Sequence, residues 1–181
     1  LLASCITKWT KGCDKRLHRL VCYINSTLDH TLHGYIGDPI ELLYLRLFAD
    51  ADFAGCSITL RSTSGSILCH RGVTICWSAE SQSIRANSTC EAEYVALYDT
   101  IRLSLNQCFL QWCIDEDQIP LMFTDNQSAL AVANSKLVTK RSKHMNLRFH
   151  MVRDHVKNLC YCPTDLNKAD PLTKPLVGKK Y

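Results

Sequence analysis

No run of apolar residues approaches the roughly 20 needed for a transmembrane helix, so a helical membrane span is excluded and no membrane partner is expected. There is no Cys-x-x-Cys pair; the nearest cysteines are Cys160 and Cys162, one residue apart. No histidines and cysteines gather at the spacing of a zinc site. His144, His150 and His155 do not form an i, i+4 pair on one helix face, so they read as surface or packing residues. No signal peptide is recognisable, and the 11 cysteines are an odd number. They read as free thiols of a reducing compartment rather than a disulfide framework. Cys22, Cys69, Cys76, Cys108 and Cys113 sit within apolar runs, where a thiol acts as a small hydrophobe. The chain opens on Leu-Leu instead of Met, which reads as a piece of something longer.

What is present is enough for one domain, or a domain with an extra segment, in 181 residues. The net charge of +4 is compatible with a nucleic-acid partner without establishing one. Residues 1–39 are basic and amphipathic: Lys8, Lys11, Lys15, Arg16 and Arg19 surround Leu17, Leu20, Val21 and Tyr23. That mix suits a solvated helix face or a contact with phosphates. Gly34 to Pro39 reads as a break.

The chain then turns strongly apolar. Leu42, Leu43, Tyr44, Leu45, Leu47 and Phe48 form the near-continuous run of a strand buried on both faces, and Asp50 follows at its end. Asp and Gly after a strand make turns. A carboxylate at the edge of a core otherwise has to be paired or hold a cation. Arg61 to Gly65 reads as a turn, Ser66 to His70 as a strand, Arg71-Gly72 as a turn and Val73 to Trp77 as a third strand, together an antiparallel meander. Ser81 to Thr89 is polar and irregular, with Ser88 or Thr89 placed to cap a helix. Tyr94, Leu97, Ile101, Leu105, Cys108 and Trp112 recur at helical spacing as a core stripe. Glu93 lies at the edge of that stripe, where the pattern alone gives a solvated flank.

Leu121 to Thr124 is a short strand run with Asp125 directly behind it, repeating the arrangement of Asp50. In a sheet with helices packed on it, that end of the strands commonly carries a site. Asn126 to Ala133 reads as a helix. A second amphipathic helix is expected from His144, with Met145, Phe149, Val152 and Val156 on one face. Leu159 to Cys162 is a short strand, and Asp170-Pro171 suits the start of a short helix. A cluster of four carboxylates would be tolerable around divalent cations; Mg²⁺ takes oxygen ligands and keeps several waters.

Periodicity alone does not bring the four acids together. Six motifs occur in order: Ala49-Asp-Ala-Asp-Phe-Ala-Gly55, Arg61-Ser-Thr-Ser-Gly65, Ser88-Thr-Cys-Glu-Ala-Glu-Tyr-Val-Ala-Leu97, Thr124-Asp-Asn-Gln-Ser-Ala129, Lys143-His144 with Arg148-Phe-His150, and Ala169-Asp-Pro-Leu-Thr-Lys-Pro-Leu176. On them the sequence resembles the ribonuclease H domain of a copia-type retrotransposon polyprotein. The resemblance covers roughly residues 40–178, and the segment before it resembles the tail that connects a reverse transcriptase to this domain.

The resemblance implies an α/β, ribonuclease H-like fold. Its mixed central sheet combines a three-strand antiparallel meander with parallel strands and has helices on both faces. It implies residues 1–39 as a connecting segment and 40–181 as the domain. Its acidic tetrad falls on Asp50, Glu93, Asp125 and Asp170. Asp50 would bridge two Mg²⁺ ions, with Mn²⁺ as a substitute, and the others would flank them. The implied substrate is the RNA strand of an RNA–DNA hybrid, cut to leave a 3′-hydroxyl and a 5′-phosphate. The implied partner is the reverse transcriptase domain of the same polyprotein, and the setting a cytoplasmic virus-like particle, with the nucleus as a second place. Lys136, Lys140, Arg141 and Lys143 are candidate phosphate contacts. Phe53 stands where the family usually has Trp, the stretch Trp77 to Gln82 lacks the lysines common there, and the links from 112 to 121 and from 156 to 161 are short. The competing expectation is the same fold as a catalytically weak nucleic-acid-binding or structural module.

Overall fold

The apolar run that carries Asp50 forms the middle strand of a five-stranded sheet. The computed structural model describes residues 2–34, 45–70, 73–106, 120–135, 151–154 and 158–174. The chain divides into two units, Leu1–His33 and Gly34–Tyr181. In the first, a 3₁₀ turn, Ala3–Lys8, precedes helix α1, Lys11–Ser26. Trp9 donates its indole N–H to Asp14 at 2.7 Å. Leu17, Leu20, Val21, Tyr23 and Ile24 of α1 are exposed and Cys13 is buried. The expected break at 34–39 falls, beyond Gly34, outside the described residues.

The second unit contains β1 (Leu45–Asp52), β2 (Thr63–His70), β3 (Val73–Ser81), α2 (Thr89–Asn106), β4 (Leu121–Thr124), α3 (Gln127–Asn134), β5 (Leu159–Tyr161) and a one-turn helix α4 (Asp170–Thr173). The strand order is β3-β2-β1-β4-β5. β1, β2 and β3 pair antiparallel, and β4 pairs parallel with both β1 and β5. This is the expected meander joined to parallel strands.

Alternation along the strands assigns the two faces. Leu47, Ala49, Ala51, Leu68 and Met122 pack with Tyr94, Leu97 and Ile101 of α2, Ala129 of α3 and Val152. Phe48, Ile67, Cys69 and Phe123 pack on the other face with Ala169 and Leu172. Helices therefore cover both faces. The helix expected from His144 is described only at residues 151–154; Met145, Phe149, Val156 and the three histidines lie outside the described residues, as do Cys108, Trp112 and Cys113. The nine cysteines among the described residues are free thiols. Cys69 packs as the apolar reading expects, whereas Cys22 is exposed on α1.

Two boundaries differ from the pattern reading. β1 continues to Asp52, so Asp50 lies inside the strand, paired with Gly65. β2 begins at Thr63, so Ser64 and Gly65 are strand residues and not part of a turn. The polarity of this stretch hides a buried strand because the hydroxyls of Ser64 and Ser66 find partners on α2. Ser64 donates to Asp99 at 2.8 Å, and Ser66 pairs with Thr100 at 2.7 Å. Gln82, in the stretch that reads as irregular, is fully buried; its amide donates to Ser64 at 3.0 Å and to the Ala92 carbonyl at 2.8 Å. The start of α2 is capped by Ser88, whose hydroxyl accepts from the Glu91 backbone N–H at 3.1 Å. Glu91 in turn accepts from the Asn87 backbone N–H at 2.8 Å. This reciprocal arrangement satisfies free N–H groups at a helix start.

Candidate active site

The site lies where β1 and β4 part. Their parallel register runs from Arg46–Leu121 to Phe48–Phe123, and the two phenylalanine rings stack with centroids 5.0 Å apart. Asp50 and Asp125 each follow two residues beyond that last pair. The strand period of two therefore sends both carboxylates off the same stacked platform. Glu93 enters from the first turns of α2, where every residue from Glu91 to Leu97 is buried.

One carboxylate oxygen from each of Asp50, Glu93 and Asp125 lies within 4.8 Å of the others. Asp50 is 1% exposed and Glu93 8%. Asp50 Oδ1 and Glu93 Oε2 are buried with no hydrogen-bond partner among the described residues. Buried carboxylate oxygens of this kind are costly. An oxygen-rich set with lone pairs unused suits a hard divalent cation. Among the described residues these three acids fit such an ion.

The remaining contacts fix the set. Thr164 donates its hydroxyl to Asp125 Oδ2 at 2.7 Å. Thr173 donates to Asp50 Oδ2. Asn167, buried, donates its amide to the Ala49 carbonyl at 2.9 Å and accepts from the Ala169 N–H at 3.1 Å. That bracket ties the segment leading to Asp170 onto β1 beside Asp50. Asp170 is buried but stands outside the three-acid group; its Oδ1 accepts from Lys174 Nζ, which also lies 3.7 Å from Asp50 Oδ2. Asp52, two residues from Asp50, is turned to the strand-end loop: a Cβ on Gly55 would come within 1.7 Å of its Oδ2.

Glu93, a solvated flank by pattern alone, is therefore walled in by the buried start of its helix. The sequence pattern gives no part to Thr164, Asn167, Thr173 or Lys174. Thr173 and Lys174 fall three and four residues after Asp170, neighbours on a helical turn, which was the available signal. Lys136, Lys140, Arg141 and Lys143 lie outside the described residues.

The acids crowd one another. Burial first, then the charges of Asp50 and Asp125, push the Glu93 carboxyl up to about 9 from an ordinary 4.5. Burial also pushes Asp50 up, against the Thr173 hydrogen bond and the Lys174 charge. Burial would lower the Lys174 ammonium, but its bond to Asp170 and the charges of Asp50, Asp170 and Asp125 hold it above its usual value. Because Glu93 binds its proton more tightly folded than unfolded, the metal-free domain loses stability as pH rises from about 4.5 to about 9. Thermal melts in chelator should show the midpoint falling across that range. In Glu93→Gln the fall should be smaller by at least roughly 1 kcal/mol, less than one unit of pKa. An identical pH slope in the variant would place Glu93 in solvent.

No protein-family model matches the chain. The Pol polyprotein of the tobacco transposon TNT 1-94 is 30% identical over 164 residues, covering 88% of this chain and 12% of the relative. That of the Arabidopsis thaliana transposon RE2 is 29% identical over 172 residues, covering 88% of this chain and 11% of the relative. The chain thus spans about a tenth of the length of these curated relatives. Among solved structures, ribonuclease H1 of Halobacterium salinarum aligns with a TM-score of 0.52 at 11% identity, over 72% of this chain and 93% of that one. LC11 ribonuclease H1 in complex with an RNA/DNA hybrid aligns at 0.51 and 20% identity, over 71% and 92%. The fold is that of ribonuclease H, and the sequence relatives are retrotransposon Pol polyproteins. In this ribonuclease H-like fold, the three converging acids sit at the end of the sheet where β1 and β4 part.

Proposed function

We propose that the domain hydrolyses the RNA strand of RNA–DNA hybrids during retrotransposon reverse transcription, by a two-metal mechanism. The observation that carries this reading is the convergence of Asp50, Glu93 and Asp125 with buried carboxylate oxygens left without partners. Its structural neighbour holding an RNA/DNA hybrid supports the substrate. When bound, Mg²⁺ or Mn²⁺ would supply Lewis acidity toward the phosphodiester and the attacking water. Asp50, Glu93 and Asp125 would hold one such ion, and Asp170 with Asp50 a second. Thr173 and Thr164 fix the rotamers of Asp50 and Asp125, and Asn167 fixes the approach of Asp170. Recognition of the hybrid would rest on shape, phosphates and 2′-hydroxyls, with Lys136, Lys140, Arg141 and Lys143 as the proposed phosphate contacts. The reverse transcriptase domain of the same polyprotein is the proposed partner, in a cytoplasmic particle.

The test is incubation of the purified chain with an end-labelled RNA–DNA hybrid in Mg²⁺ and in Mn²⁺. Cleavage confined to the RNA strand, with 5′-phosphate ends and loss of activity in chelator, is the expected result. Salt-sensitive binding without cleavage in either ion would make the domain a binding module instead.

A further inference from the structure

Among the described residues, Lys174 is the cation placed among the acids of the site. It follows α4 directly, and its backbone N–H returns to the Asp170 carbonyl at 3.4 Å. Its ammonium bonds Asp170 Oδ1 and lies 3.7 Å from Asp50 Oδ2. It therefore lies between the acid common to both halves of the site and the acid that stands outside the three-carboxylate group. In the other half, Asp50 with Glu93 and Asp125, no described ammonium bonds Glu93 or Asp125, and Asp50 Oδ1 and Glu93 Oε2 have no hydrogen-bond partner among the described residues. The two halves are filled differently: one by a side-chain ammonium, one by nothing the chain supplies among the described residues.

We propose that Lys174 is a tethered counter-cation that occupies the Asp50–Asp170 half of the site in the metal-free protein and must swing out before a divalent ion binds there. This rests on the metal-site reading above. Lysine suits the task. Its ammonium is a compact, strongly hydrated point charge on a flexible four-carbon stem, and the Lys174 side chain is 44% exposed, so the head has a path to water. While in place it offsets the repulsion of Asp50 and Asp170. On leaving, it costs a charge-assisted hydrogen bond, which the incoming ion has to outweigh. Ion binding is then ordered: the Glu93 half fills at lower concentration, and the Asp170 half fills later against internal competition.

The experiment is a Mn²⁺ titration by calorimetry on the wild-type chain and on Lys174→Met, with melting curves in chelator. The variant should bind its weaker ion about tenfold more tightly and melt lower without metal. In the wild-type chain, amine modification of Lys174 followed by peptide mass spectrometry should run several-fold faster in saturating Mn²⁺ than in chelator. This second readout decides the matter if Lys174→Met fails to fold. Mn²⁺ binding by the wild type with unchanged Lys174 modification overturns the counter-cation alone. Equal isotherms and equal metal-free melts in the two proteins do the same. No Mn²⁺ binding by either protein overturns the metal-site reading and this inference with it.

Discussion

Asp50→Asn should lower hybrid cleavage by at least about a hundredfold to a thousandfold, the scale of removing one preorganised charge-stabilising group, while raising the melting temperature of the metal-free domain. The two effects have one source. Asp50 is 1% exposed, with Oδ1 unpartnered, and burial pushes its carboxyl up. Without metal, its charge is a cost borne by the fold. Asparagine keeps the shape and removes that charge. It also removes one of the two charges that push Glu93 upward. Lys174 retains Asp170 as its partner. A gain of about 1 kcal/mol would appear as roughly 2–4 °C for a domain of this size. Melting curves in chelator and cleavage assays in Mg²⁺ are read on the same preparation. A variant that melts lower in chelator, or that cuts as fast as the wild type, is incompatible with a crowded acid cluster at this position.

Gly65→Ala should be the most damaging single methyl group in the sheet. Gly65 pairs with Asp50 across β1 and β2, on the face that receives α4. A Cβ there would stand 2.7 Å from Thr173 Cγ2, 2.9 Å from the Ala169 carbonyl oxygen and 3.2 Å from Leu172 Cβ. One of those neighbours is backbone, so the segment 169–173 has to move. Overpacking of this kind costs about 1–3 kcal/mol, or roughly 2–12 °C. The segment that moves carries Asp170 and the Thr173 hydroxyl bonded to Asp50. A displacement of about 1 Å in such groups costs on the order of a hundredfold in rate. Activity should therefore fall more than the loss of folded protein explains, when assayed well below the melting point. A variant with wild-type stability and rate would mean that α4 does not rest on Gly65.

These cases show which parts were legible. The meander, α2 and the placing of Asp50 and Asp125 directly behind apolar runs follow from those runs and their breaks, because such periodicities report burial directly. Glu93 was not legible this way. Its neighbours at the edge of an apolar stripe look like a solvated flank, and its burial comes from the start of α2 being enclosed on all sides, which no local pattern reports. Ser64 and Gly65 read as turn chemistry for the same reason. They are buried strand residues because α2 supplies Ser64 with a carboxylate partner, and because α4 needs the space Gly65 leaves. Asn167, Thr173 and Lys174 stood inside a motif without an assignable part; their roles exist only through contacts with residues far away in the chain.

That distance bears on how the domain folds. β1, β2 and β3 follow one another and need only short closures to pair. The contact that sets Asp50 joins it to Thr173 across 123 residues, and the one that anchors the Asp170 segment spans 118. Loop-closure entropy grows with such separations, and chains dominated by them fold slowly. The local meander can pair into a sheet while the acids are still apart, so a chain that stalls at that stage lacks the α2 side of its core and the assembled acid cluster.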